Sequence, residues 1–140
     1  MTTPSRRAGK SDAMPAVTLR FPGRLPNTAL STNARRTGRV WEQKKATDAE
    51  RATAFTDIRR ELNGKVFPPQ PWHLSWTAHY PTLRAPDADS LASMLKVWQD
   101  VLVGEWCFND GPQNIPSVTY NVELRSPDAP LMTLEIRRAK

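Results

Sequence analysis

The chain has 140 residues, enough for one domain with a single core, and 39% of them are apolar, which excludes a disordered chain. Lys and Arg number 20 against 14 Asp and Glu, and the resulting +6 charge and pI near 10.0 favour a polyanionic partner. The single cysteine, Cys107, excludes an intrachain disulfide scaffold, no apolar run approaches the ~20 residues of a membrane span, and the first residues lack the apolar core of a signal peptide, so a cytoplasmic protein with no membrane partner is expected.

Residues 1–14 are polar and carry Arg6, Arg7 and Lys10, so a disordered basic arm is expected there, with one domain over 15–140. Val17 to Phe21 fits a short strand, and Pro22 to Arg39 reads as a long loop holding Asn33 and the basic cluster Arg35, Arg36 and Arg39. Val40 to Leu62 lacks Gly and Pro and ends at Asn63-Gly64, which predicts a helix. Phe55, Ile58 and Leu62 recur on one side of it, where Ala52 and Trp41 are also expected; Lys44, Lys45, Arg51, Arg59 and Arg60 decorate the remainder.

Trp72 to Tyr80 alternates as a strand, with Trp72, Leu74, Trp76, Ala78 and Tyr80 on one face and His73, Ser75, Thr77 and His79 on the other. Asp89 to about Val103 is a second predicted helix, its apolar stripe Leu91, Leu95, Trp98 and Leu102, its stop Gly104. Val118 to Leu124 and Met132 to Arg137 alternate as two strands around the turn Ser126-Pro127-Asp128. The order β-α-β-α-β-β predicts a single α+β domain, a small mixed sheet packed with two helices.

The chemistry concentrates where the second helix starts. In Pro86-Asp87-Ala88-Asp89 the proline sets a bend, and residues two apart in an extended segment point the same way, so the two carboxylates can converge. Converging carboxylates repel unless a cation lies between them, and oxygen donors suit a hard ion such as Mg²⁺. The same residues also fit a plain helix start, with Asp89 as N-cap and Asp87 as a partner of the helix dipole. Lys96 follows Asp89 by seven residues, 700° of helix and so the same face, from which it can lean toward the acidic pair or bond Asp100 at i+4. Trp106 to Pro112 brings a further carboxylate, Asp110, into an Asn-Asp-Gly-Pro turn.

Pro86-Asp87-Ala88-Asp89-Ser90-Leu91, Lys96, Asp100 and Asn109-Asp110-Gly111-Pro112-Gln113 together resemble the signature of the RusA family of Holliday junction resolvases, in phage-type form. Leu25-Pro26-Asn27, Ser31-Thr32-Asn33, Trp41 and Lys45 are similar to that family's looser N-terminal pattern. The resemblance implies a dimeric RusA-like endodeoxyribonuclease that resolves four-way and branched DNA by symmetric phosphodiester hydrolysis in recombination, repair or phage DNA processing. It implies Asp87, Asp89 and Asp110 as Mg²⁺ ligands (Mn²⁺ as substitute) and Lys96 as stabiliser of phosphate charge. A phage or prophage source would place the protein in the bacterial host cytoplasm. Ser90 stands where the family usually has Asn, Asn109 where the first of two paired aspartates usually stands, and Lys96 lies three residues farther from Asp89 than in the founding pattern. These departures support an alternative, a junction-binding DNA-architecture protein with weakened catalysis.

Arg35, Arg36, Arg39, Lys44, Lys45, Arg59 and Arg60 are candidates for a DNA phosphate track or for a solvated basic face. A single-strand- or RNA-binding module would show exposed aromatics, and most aromatics here fall on apolar stripes, Trp72 and Trp98 among them. His73 and His79 have no zinc-type partners at metal spacing, and Cys107 reads as a packed thiol.

Overall fold

The computed structural model describes residues 16–31, 40–107 and 113–139. The elements follow the expected order: β1 (Val17–Pro22), α1 (Val40–Leu62), β2 (Trp72–His79), α2 (Ala88–Trp106), β3 (Ser117–Glu123) and β4 (Leu131–Arg138), with one 3₁₀ turn at Thr28–Leu30 between β1 and α1. The four strands form one mixed sheet in the order β1-β4-β2-β3. β4 runs antiparallel to both β1 and β2, and β2 runs parallel to β3, with Leu74 facing Val118 on one side and Ile136 on the other. A parallel neighbour requires a crossover, and α2 supplies it.

One face of the sheet holds the core. Trp72, Leu74, Trp76 and Ala78 of β2 are buried, as are Leu134 and Ile136 of β4 and Leu19 and Phe21 of β1. The stripe Leu91, Leu95, Trp98 and Leu102 of α2 lies at or below 1% exposure, each side chain contributing about 1.5–3 kcal/mol of burial. Trp98 packs against Phe21 at a ring-centroid distance of 5.0 Å and stands edge-on to Trp76 at 6.5 Å. Both indoles keep a polar partner: Trp76 Nε1 donates to Gln99 Oε1 and Trp98 Nε1 donates to Glu50 Oε2, each at 2.7 Å. The opposite sheet face is polar, carrying His73, Ser75, Thr119, Asn121, Glu135 and Arg137.

α1 stops where Asn63-Gly64 placed the end: Gly64 takes φ +79°, and Lys65 N donates to Leu62 O at 2.8 Å. Its buried side differs from the expected one. Ala54, Asp57 and Ile58 face inward, Phe55 and Leu62 are half-buried, and Trp41, 74% exposed, and Ala52 face solvent. Trp41 and Ala52 lie about 100° and 120° from Ile58 around the helix, outside the arc that reaches the sheet. Gly104 does not end α2, which continues to Trp106. The indole of Trp106 stacks on Phe55 at 5.7 Å, and this tertiary contact outweighs the ~1 kcal/mol cost of an internal glycine.

Asp57 is the buried charge that the apolar pattern of α1 hides. It is 1% exposed and is held by Arg24 Nε at 2.6 Å and by Arg60 Nη2 at 3.1 Å. Arg24 follows Gly23, whose φ of +78° turns the chain out of β1, so this pair ties the end of β1 to α1. The Arg24 guanidinium is held above its ordinary range by its hydrogen bond to Asp57, with the charges of Asp57 and Glu50 adding to it against partial desolvation. Among the described residues, no helix is long and apolar enough to cross a membrane.

Arg24→Met leaves the Asp57 carboxylate buried with one partner fewer, and it should cost about 2–3 kcal/mol of unfolding free energy. Lys44→Met breaks only an exposed pair with Asp48 and should cost under about 0.5 kcal/mol. Urea unfolding compares the two, and equal midpoints would remove Asp57 as the anchor between β1 and α1.

Candidate functional site

The loop after β2 delivers Pro86 and Asp87 to the start of α2. Asp87 is the N-cap, with φ −73° and ψ 174°, and its Oδ1 accepts from Ser90 N at 2.9 Å. Asp89 lies in the first helical turn, exposed at the surface. The roles of the plain helix start are therefore exchanged: Asp87 caps, and Asp89 complements the dipole. The helix begins one residue before the expected Asp89, so the extended spacing does not span the pair; the two Cα atoms stand about 200° apart around the axis. One oxygen of Asp87 serves the cap, which leaves the second carboxylate oxygen for other use.

Lys96 shares the outer face of Asp89 as the spacing requires, but its ammonium does not lean toward the acidic pair. It turns the other way and meets Asp100 Oδ2 at 3.5 Å, both side chains well exposed. The charge of Asp100, together with burial, pushes the Tyr120 hydroxyl above its ordinary pKa, burial being the larger cause. Lys96 and Asp100 thus look out beside β3, midway along α2.

The two helices run in the same direction. Ala46 packs against the cluster of Leu30, Met94 and Val97, Glu50 holds the indole of Trp98, and Phe55 stacks on Trp106. Lys44 and Lys45 therefore stand near the N-terminal half of α2, whereas Arg59 and Arg60 stand near its C-terminal end. Lys44 is paired with Asp48 at 3.1 Å and Arg60 with Asp57, while Lys45 and Arg59 make no ion pair among the described residues. Arg35, Arg36, Arg39 and Asp110, like the arm over 1–14, lie outside the described residues.

The two histidines and the cysteine each have a side-chain partner. His73 Nδ1 shares a 2.5 Å hydrogen bond with Ser117 Oγ, and His79 Nδ1 shares one of 2.9 Å with Ser126 Oγ. Cys107 caps the C-terminus of α2, its N donating to Val103 O at 3.1 Å, and its Sγ accepts from Gln70 Nε2. Among the described residues no three His, Cys, Asp or Glu side chains come together as a metal group.

The pair at the start of α2 was legible in sequence. The cap assignment needed the helix boundary, and the aromatic cleft lined by Phe55 and Trp106, with Arg59 beside it, carried no sequence signal because its members come from two helices. No protein-family model matches the chain, and no curated protein matches it. The likeness to RusA resolvases stays on the residues of the chain itself.

The cap separates structural from chemical roles at Asp87. Asparagine caps a helix about as well as aspartate, so Asp87→Asn should leave thermal stability within about 0.3 kcal/mol, whereas Asp87→Ala should cost about 1 kcal/mol. Calorimetry distinguishes the two, and an equal loss for both would remove the side-chain cap.

Proposed function

We propose that the chain is a Mg²⁺-dependent endodeoxyribonuclease of the RusA type, acting as a homodimer on four-way and branched DNA. The observation that carries this reading is the acidic start of α2, where Asp87 at the cap and Asp89 in the first turn are both exposed, on a chain of net charge +6. A helix N-terminus carries about half a positive charge, and two carboxylates there offer hard oxygen donors. That donor set fits Mg²⁺, or Mn²⁺ in its place. Held by these residues, the ion would acidify a water and polarise the phosphoryl oxygen.

A third carboxylate, Asp110, completes the set in this reading and lies outside the described residues. A two-fold dimer would present two such sites, which matches the approximate two-fold symmetry of a four-way junction.

The other residues have roles that follow from position. Asp87 orients the start of α2 through its cap and offers its second oxygen to the ion. Lys96 meets phosphate after leaving Asp100, a separation that costs less than about 1 kcal/mol for an exposed pair. Lys44, Lys45, Arg59 and Arg60, with Arg35, Arg36 and Arg39, neutralise the phosphate track. Removing any one of these charges from a phosphate should flatten the log–log salt dependence of binding by about one unit.

Purified chain should nick a synthetic four-way junction with Mg²⁺ and not with EDTA. Asp87→Asn should lose at least ~100-fold in cleavage while still binding the junction. Asp110→Asn should lose cleavage to the same extent, and wild-type-like cleavage by either variant would remove that aspartate from the metal set. Junction binding without Mg²⁺-dependent cleavage by the wild-type chain would favour the architecture reading, which the departures at Ser90 and Asn109 support.

A further inference from the structure

At the C-terminal ends of α1 and α2 lies a cleft of about 630 Å³, far along α2 from Asp87 and Asp89. Its wall is the stacked pair Phe55 and Trp106, with ring planes 23° apart, and its rim carries Arg59, Arg60 and Asn63. None of the described residues that line it is acidic. Arg60 spends one nitrogen on Asp57, and Arg59 makes no ion pair among the described residues. Two helix C-termini open nearby and offset part of the arginine charge, so the positive charge of the cleft centres on Arg59. The mouth stays open at Gly64, where an added Cβ would meet nothing within 4 Å.

A flat aromatic wall with guanidiniums at its rim suits a ligand that is itself flat, aromatic and anionic. Guanidinium forks pair with phosphate in two-point geometry, and a base stacks on an indole with little regard to its identity. We propose that this cleft binds an unpaired nucleotide of a DNA strand, with the base against Trp106 and the phosphate at Arg59. The site extends the DNA-binding part of the proposed function and rests on none of its cleavage chemistry. It would give the protein a preference for DNA that exposes single-stranded bases over closed duplex.

Fluorescence anisotropy with a ten-nucleotide single strand and with a duplex, at matched salt, tests the site. Trp106→Leu should weaken single-strand binding about tenfold, the worth of one base stack, and change duplex binding by less than twofold. Trp106→Phe, which keeps a stacking face, should restore most of the affinity and controls for folding. Arg59→Gln should weaken both ligands and flatten their salt dependence by about one unit. Equal losses on duplex and single strand for Trp106→Leu, or no loss on the single strand, would overturn the site, as would tighter binding of a phosphotyrosine peptide than of the oligonucleotide. Trp106-dependent strand binding in a chain that cleaves no junction would keep this site and sink the nuclease reading; junction cleavage with no effect of Trp106→Leu would do the reverse.

Discussion

Parallel pairing of β2 with β3 sets the geometry of this molecule. Two parallel neighbours cannot be joined by a hairpin, so the chain must leave the end of β2, travel back across the sheet and enter β3 from its other end. α2 makes that passage, and its 19 residues hold the two ends about 28 Å apart. The apolar stripe of the same helix roofs the sheet through Leu91, Leu95, Trp98 and Leu102, so the element that separates the two ends also closes the core. Trp98 is the point where the layers meet, touching Phe21 of β1, facing Trp76 of β2 and bonding Glu50 of α1.

α1 follows from this arrangement. It lies alongside α2 in the same direction and is tied to β1 by a carboxylate buried between two arginines. Burying Asp57 carries a desolvation cost that only close pairing offsets, which specifies one seating of the helix over the others its weak apolar stripe would tolerate. With the helices parallel, the candidate residues fall at two ends. The exposed aspartates stand at one end, with Lys44 and Lys45 nearer to them, and the arginines and stacked aromatics stand at the other.

The polar sheet face and the histidines on it show how far residue type alone can suggest chemistry. His73 and His79 each bond one serine hydroxyl through Nδ1. Lys96 is a similar case: its helical face was fixed by the seven-residue spacing from Asp89, but the direction of its flexible stem was set by the nearer charge, Asp100.

By itself, the sequence determined which segments are strands and helices, because alternation in β2 and the stripe of α2 are local patterns that only one periodicity satisfies. It also marked the aspartate pair, since a proline and two carboxylates ahead of an apolar run form a local signal. Tertiary structure decided what those patterns could not carry. It turned Trp41 outward and Asp57 inward, because the buried arc of α1 depends on where Arg24 emerges from β1. It carried α2 past Gly104, because Phe55 waits on a different helix to receive Trp106. It made Asp87 the cap and Asp89 the dipole partner, because the boundary of a helix falls where backbone hydrogen bonding begins, one residue ahead of where the aspartates alone would place it.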